Sequence, residues 1–237
     1  MSKNTMKRPI NILVGFPCMD SIPTGTMASL IALQKPIGTK FTVIQNSLVH
    51  YARNEIAAKA ITGEYDAVLW IDSDMKFESG AMMQLVDDMF GAGTNRRAVP
   101  RIDYVAGLFF KRSFPTTPVV YSSIDYDHDG NNAHCNLITY DRYPDNAMFE
   151  CAGTGFGFVL TSVRLLKEVW EAFGPPFDPM LMLGEDISFC KRVEELDEKM
   201  FCDSRVKIGH IGRWVYDEST WKMQKAVPPE AWGGAAK

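Results

Sequence analysis

No pair of cysteines in this chain has the spacing of a zinc site, and no CxxC occurs. The five cysteines, Cys18, Cys135, Cys151, Cys190 and Cys202, are scattered and odd in number. That excludes a disulfide scaffold and reads as reduced thiols in a cytoplasmic compartment. Long apolar runs are missing too: nothing approaches the roughly 20 residues that cross a bilayer. The polar, basic stretch 1–8 has no apolar segment behind it, as a secretory leader would. The expectation is a cytoplasmic protein with residues 1–8 disordered and no membrane span. An excess of positive charge is absent as well. With 25 Lys and Arg against 29 Asp and Glu, the formal net charge is −4. This excludes a generally nucleic-acid-coating surface, though not a local basic groove. No internal repeat is visible.

What is present fits one compact domain. At 237 residues and 46% hydrophobic content, the chain can bury a sizeable core. Ala67–Ile71 is an unbroken apolar run that ends in Asp72-Ser73-Asp74. Such a run suits a strand buried on both faces, as in a parallel sheet. In extended backbone, Asp72 and Asp74 point to the same side, and two such carboxylates can hold a hard divalent cation. Asp and Ser are also ordinary turn residues, so a merely polar strand end fits the stretch equally well.

Strands alternate with helices along the chain. Asn11 to Cys18 reads as a first strand, ending at Pro17, and Pro23 to Gln34 as a helix with Thr24 or Thr26 as its cap. Phe41 to Gln45 is a second strand. Leu48 to Thr62 is a helix with Ala52, Ile56, Ala57 and Ala60 at helical spacing and Gly63 at its end. After the Asp-Ser-Asp strand, Gly80 to Phe90 is a helix with Met82, Met83, Leu85, Val86 and Met89 on its inner face. Ile102 to Phe110 and Val119 to Ser122 are strands. Val163 to Phe173 and Glu185 to Lys199 are helices, and Phe201 to Ile211 is a last strand. Beyond Gly212, the aromatic residues Trp214, Tyr216, Trp221 and Trp232 mark a tail that packs on the body and then frays. This alternation predicts an α/β fold with right-handed crossovers and a mostly parallel central sheet flanked by helices.

The segment 123–146 is the least ordered in character. Its opening, Asp125-x-Asp127-x-Asp129-Gly130, imitates an EF-hand loop, but Asn136 stands where that loop needs a bidentate glutamate. A solvated hairpin or a loop on the acceptor side is the preferred reading. Four features carry chemistry in a fixed order: Asp72-Ser73-Asp74, the glycine run Gly153-Thr154-Gly155-Phe156-Gly157, Gly184-Glu185-Asp186, and His210. Singly, each has an ordinary structural explanation: a close strand crossing, a helix start with acids on its dipole, a satisfied histidine.

Together they resemble glycosyltransferases of the GT-A fold, a Rossmann-like architecture, and are most similar to the large family-2-like group. The resemblance covers residues 9–212. It is carried by Tyr51-Ala-Arg-Asn54, Gly63-Glu-Tyr65, Leu69-Trp-Ile-Asp-Ser-Asp74 (the DxD motif), Cys151-Ala-Gly-Thr-Gly-Phe156, Gly184-Glu-Asp-Ile-Ser-Phe-Cys-Lys-Arg192 and Val206-Lys-Ile-Gly-His210. Asp197 stands where the group usually has glycine, which Asp tolerates because it adopts left-handed backbone. Segment 123–146 matches nothing in the group.

The resemblance implies a nucleotide-sugar-binding half, 9–120, an acceptor-side half, 121–213, and an aromatic tail, 214–237. It further implies a nucleoside-diphosphate sugar donor, by expectation a UDP-sugar. Its diphosphate would be neutralised by Mn²⁺ or Mg²⁺ held by Asp74 and His210, with Asp72 bridging to the ribose or the metal's water. Pro17 and Asp20 would lie near the base. Arg53, Asn54 and Ser73 would face the same crevice, and the backbone of Gly153, Thr154 and Gly155 would let a sugar approach closely. Asp186 would be the general base of an inverting transfer, with Glu185 the less favoured candidate. Arg213 would approach the diphosphate or stand as an ordinary surface arginine. The acceptor is open: a glycan, a protein or, as in compact phage-encoded members, a hydroxymethylated DNA base in a host cytoplasm.

Two rivals are kept. A nucleotidyltransferase also places carboxylates around a metal, but the expected glycine-rich, Lys/Arg-bearing signature after the first strand is missing. An inactive module that only binds nucleotide or glycan is the other. For DNA, the cluster Arg96, Arg97, Arg101, Lys111 and Arg112 could track a phosphate backbone; a solvated loop surface is the simpler reading of it.

Overall fold

The computed structural model describes residues 9–91, 101–129 and 132–227. The expectations for 1–8, for Arg96, Arg97 and Gly130, and for Trp232 and the frayed end lie outside those residues.

The elements run β1 (Ile12–Cys18), α1 (Thr24–Ala32), β2 (Lys40–Gln45), α2 (Val49–Thr62), β3 (Ala67–Ile71), β4 (Met75–Phe77), α3 (Ala81–Phe90) and β5 (Tyr104–Leu108). They continue β6 (Val120–His128), β7 (Ala133–Thr139), β8 (Met148–Cys151), β9 (Gly153–Thr154), β10 (Phe158–Ser162), α4 (Val163–Phe173), α5 (Glu185–Glu195), β11 (Met200–Ile211), β12 (Val215–Tyr216) and α6 (Glu218–Ala226). The main sheet has the order β12-β11-β5-β10-β3-β1-β2, with β4 and β8 also paired to β11. Strands β2, β1, β3, β5 and β11 share one direction, while β10 runs against both its neighbours. The result is a single mixed α/β domain with a mostly parallel central sheet flanked by helices.

Burial on both faces explains the unbroken apolar strands. Ile12, Val14, Phe16, Leu69 and Ile71 pack into one layer, and Leu13, Val68 and Trp70 into the other. The alternation is that of a strand whose successive side chains leave on opposite faces. In the second layer the Trp70 indole N–H donates to the Thr161 hydroxyl at 2.9 Å, which satisfies the one polar atom such a buried ring carries. Helix α2 closes this layer with Ile56, Ala57 and Ala60, all fully buried, as their spacing predicts. Strand β3 lies next to β1, on the side opposite β2. The order in which strands are added to the sheet therefore reverses at β1, and the carboxyl ends of the parallel strands β1 and β3 flank the position where open α/β sheets bind ligands.

Several expectations are corrected. Helix α1 has Pro23 at its N-cap and no side-chain cap, so neither Thr24 nor Thr26 serves; it turns Thr26 and Ser29 inward and leaves Met27 and Ile31 exposed. Met83 is exposed rather than on the inner face of α3. Helix α5 stops at Glu195, because the chain turns at Asp197 with φ +57°; the left-handed backbone expected of that Asp is the one it adopts. Of the two readings preferred for segment 123–146, the hairpin is the one that forms: β6 and β7 pair with Asp125 facing Asn136 and Asp127 facing His134. Extended pairing of these residues is incompatible with a calcium loop. The tail packs on the body through its aromatics, as expected, and adds two elements that the sequence reading lacked. β12 pairs with β11, His210 opposite Tyr216, and α6 buries Trp221 against Phe110 and Tyr143. No helix among the described residues is long and apolar enough to cross a membrane.

Candidate active site

The carboxyl end of β3 is tied to its neighbours by backbone. Asp72 N–H donates to the Gly157 carbonyl at 3.0 Å, and Ile211 N–H donates to the Asp74 carbonyl at 2.8 Å. Strand β4 then runs antiparallel to β11, with Met75 opposite His210. That register brings Asp74 and His210 together from positions far apart in sequence: His210 Nε2 lies 3.2 Å from Asp74 Oδ2. The other ring nitrogen, Nδ1, faces the Phe110 carbonyl at 3.1 Å. A carbonyl only accepts, so Nδ1 carries the hydrogen. In the neutral ring Nε2 is then a lone pair aimed at a carboxylate oxygen, and two acceptors face each other. That arrangement suits a cation between them, and a backbone-fixed second nitrogen is the usual support of a ligating histidine. Asp74 is itself held below the usual carboxylate range: burial pushes it up, but the hydrogen bond and charge that a doubly protonated His210 would supply, with the charge of Arg112, outweigh this.

Asp72 is turned elsewhere. Its Oδ1 accepts from Arg53 Nη2 at 2.7 Å, and the same guanidinium donates from Nη1 to Glu185 Oε1 at 2.5 Å. Burial raises Asp72 despite Arg53 beside it. Among the described residues no three His, Cys, Asp or Glu side chains gather as a metal group. The fold brings Asp74 and His210 together and turns Asp72 away from them to Arg53. The physical reason is Arg53: being 2% exposed, its charge cannot turn to water and claims the nearest carboxylates. Its guanidinium carbon also stands 5.2 Å from the Phe156 ring centre and 6.0 Å from that of Phe177. Arg53 thus joins α2, the end of β3 and the start of α5, and its side chain is spent on that frame.

Glu185 and Asp186 occupy the first turn of α5, where acids complement the helix dipole. Asp186 Oδ1 accepts from the Ile187 N–H at 2.8 Å. Burial pushes this carboxyl up to about 6, against the pull of Arg53, with Glu185 and Asp72 raising it further. A carboxyl titrating there is suited to take a proton near neutrality. Next to it Tyr121, raised above its ordinary range by burial and then by the Asp186 charge, was not singled out from sequence; an alternating strand offers no local sign of it.

The other expected site residues fall as follows. Pro17 is buried at the end of β1, and Asp20 is exposed just beyond it. Ser73 is half-buried between the two aspartates. Asn54 donates to Asp178 at 2.7 Å and accepts the Phe177 N–H at 2.8 Å, so it pins the loop before α5 instead of facing a ligand. The glycine run also holds protein and not an open approach. A Cβ on Gly153 would meet Ile124 at 2.7 Å and Cys190 at 2.9 Å, and one on Gly155 would meet Phe109 and Val119 at 2.9 Å. Thr154 is buried, its hydroxyl 2.7 Å from that of Tyr104. Arg213 is exposed. Arg112 reaches Asp74 instead, Nη1 to Oδ2 at 2.5 Å. With Arg101 paired to Asp103, two members of the basic cluster weighed as a phosphate track are engaged by carboxylates. A concavity of ≈ 760 Å³ lies at the opposite end of the strands, lined by Tyr65, Asp66, Arg101, Asp103, Arg164 and others. Its buried Asp103 is neutralised by Arg164 and Arg101 and brings no unmatched group to it.

No family model matches the chain, and no curated protein sequence matches it. Solved structures do. The crystal structure of A197 from STIV superposes with a TM-score of 0.60 at 18% identity, covering 86% of each chain. GalNAc-T7, in a crystal structure with UDP, GalNAc and Mn2+, superposes with a TM-score of 0.54 at 12% identity, over 96% of this chain and 46% of that one. The chain thus spans about half the length of that second protein. At these identities the likeness is one of fold: this is a GT-A-like domain, similar to that of a glycosyltransferase.

Proposed function

We propose that the protein is a glycosyltransferase that moves a sugar from a nucleoside-diphosphate donor, a UDP-sugar, to an acceptor hydroxyl with inversion. The observation that carries this is the Asp74–His210 pair at the carboxyl end of β3, with Nδ1 of the histidine fixed on the Phe110 carbonyl and Nε2 turned to the carboxylate. The donor set of one carboxylate and one imidazole fits Mn²⁺, and Mg²⁺ less closely. Asp74 and His210 would hold that ion, which supplies positive charge to the leaving diphosphate. That the GT-A-like neighbour GalNAc-T7 was crystallised with UDP and Mn2+ supports the same class of donor and cation.

In this reading residues 9–120 bind the donor, with Pro17 and Asp20 beside the base at the end of β1. Residues 121–213 face the acceptor, which is a glycan, a protein or a modified DNA base. Asp72, oriented by Arg53, lies towards the ribose. Asp186 takes the acceptor hydroxyl's proton on Oδ2 as its oxygen attacks the anomeric carbon; Oδ1 is occupied by the Ile187 N–H. The bond to the diphosphate oxygen breaks on the opposite face, which inverts the centre. In this reading the protein acts in the cytoplasm.

The test is release of UDP from a panel of UDP-sugars with Mn²⁺, with and without chelator, alongside UDP binding by calorimetry. Binding and slow hydrolysis that both vanish with chelator are expected. UDP binding that needs no metal, or none at all, overturns the proposal; metal-dependent binding with no turnover on any acceptor favours the inactive module.

A further inference from the structure

We infer that Arg112 is a resident stand-in for the metal: it neutralises Asp74 while the cation is absent, must leave for the cation to enter, and then serves the donor's diphosphate. This rests on the Asp74–His210 reading above and adds a residue and an order of events to it.

The geometry is exclusive. Arg112 Nη1 and His210 Nε2 address the same oxygen, Asp74 Oδ2, at 2.5 Å and 3.2 Å. The guanidinium is the nearer of the two and is always charged, so it is the bonded cation there. A metal bound by both Oδ2 and Nε2 would lie against the oxygen that Arg112 now holds. Two cations that close repel by several kcal/mol at the effective dielectric of a protein surface, of order ~20. Arginine cannot shed its proton to make room, so it has to move.

It is built to move. The Arg112 side chain is 51% exposed, against 20% for Asp74, so swinging out leaves no buried unpaired charge on the arginine. Its stem lies on Gly212, where a Cβ would come within 2.8 Å of Cγ and 2.9 Å of Cδ; glycine there is what lets the stem lie flat. The backbone beneath stays put. Lys111 N–H donates to the Thr117 carbonyl at 2.9 Å, the Thr116 hydroxyl to the Lys111 carbonyl at 2.6 Å, and Thr116 N–H to Gln224 Oε1 of α6 at 2.7 Å. Gln224 also donates back to the Thr116 carbonyl. The loop is clamped at its base, and the long side chain alone is free. Once displaced, a tethered guanidinium remains within a side chain's length of a diphosphate bound at Asp74 and His210, and its planar fork matches phosphate oxygens. Helix α6 therefore serves the site twice: through Gln224 for Arg112, and through Trp221 packed on Phe110, whose carbonyl sets His210.

The test uses the whole chain and two probes, Mn²⁺ alone and UDP with saturating Mn²⁺, on wild type, Arg112→Ala and Gly212→Ala. Free Mn²⁺ is followed by electron paramagnetic resonance and UDP by calorimetry. Arg112→Ala should bind Mn²⁺ alone about five- to tenfold tighter, and UDP about tenfold weaker, than wild type. Gly212→Ala, which keeps the arginine but crowds its stem, should shift Mn²⁺ affinity in the same direction. Unchanged or weaker Mn²⁺ binding by both variants, with Mn²⁺-dependent UDP binding intact in wild type, overturns the role of Arg112 and leaves the site reading standing. Absence of any Mn²⁺ or UDP binding in wild type overturns both.

Discussion

Arg53 and Glu185, 132 positions apart, meet at 2.5 Å, and the same guanidinium holds Asp72 at 2.7 Å. One buried cation therefore sets the orientation of two carboxylates at the candidate site, one from each half of the chain. Removing one partner of such a network leaves uncompensated charge. Arg53→Met is expected to cost about 3 kcal/mol of unfolding free energy, read from the urea midpoint. A loss below about 1 kcal/mol would show that water already shares the pair.

Asp74→Ala should abolish Mn²⁺-dependent UDP binding in calorimetry while the circular dichroism spectrum stays that of the wild type. His210→Ala should weaken the same binding, and should leave metal-free binding, if there is any, unmoved. If UDP affinity survives Asp74→Ala unchanged, the cation is held elsewhere.

Asp186→Asn should keep UDP binding and lower transfer by roughly 10²–10⁴-fold. Because burial pushes Asp186 up to about 6, and a base works only when deprotonated, kcat/KM of the wild type should rise with pH up to about 6 and then level. A flat profile from pH 5 to 8 would remove Asp186 from the role.

Gly153→Ala tests what the glycine run is for. A Cβ there meets Ile124 and Cys190 below 3.0 Å or at it, so overpacking should cost about 1–3 kcal/mol. The loss should appear in the melting temperature of the free protein, with UDP binding preserved. Normal stability with lost UDP binding would return the glycine to the ligand.

Away from the site, Asp88 and Asp203 are both buried between α3 and β11, with Arg205 bonded to each, at 2.6 Å and 2.8 Å. Gln84 also donates to Asp88, at 3.2 Å. Burial and then the Asp203 carboxylate push Asp88 up to about 7. Its folded pKa thus exceeds the unfolded value, and between about pH 4 and 7 the folded state binds more protons. Stability should fall as pH rises through that window. Asp88→Asn should flatten this fall in urea titrations at pH 5 and pH 7.5; an unchanged slope would mean that another group is responsible.

Much of the fold was legible because burial leaves a local imprint. Ala67–Ile71 is the strand its apolar run implies, and α4 spans Val163–Phe173 as read, capped by the Ser162 hydroxyl accepting from Leu165 N–H at 3.1 Å. Where the sequence left a choice, the pattern was ambiguous at short range. For 123–146 it offered a solvated hairpin or a loop, and the hairpin is what forms; that one face of it finds the core through Ile124 was not legible. The aromatic tail packs on the body through Trp221 as read, but β12 within it was not seen, since a two-residue strand has no periodicity to read.

By itself the sequence determined which segments are buried, hence a mostly parallel sheet in which β3 is an inner strand with an Asp-Ser-Asp end, and it placed Asp186 at a helix start. Those are consequences of side-chain polarity taken a few residues at a time. Only the tertiary structure decided which charge answers which. Asp72 went to Arg53 and Asp74 to His210 and Arg112, because the β4–β11 register and the loop clamped by Gln224 bring those cations within bonding distance. Charges act through space, and the spacing of residues along the chain does not encode the partners that folding sets beside them.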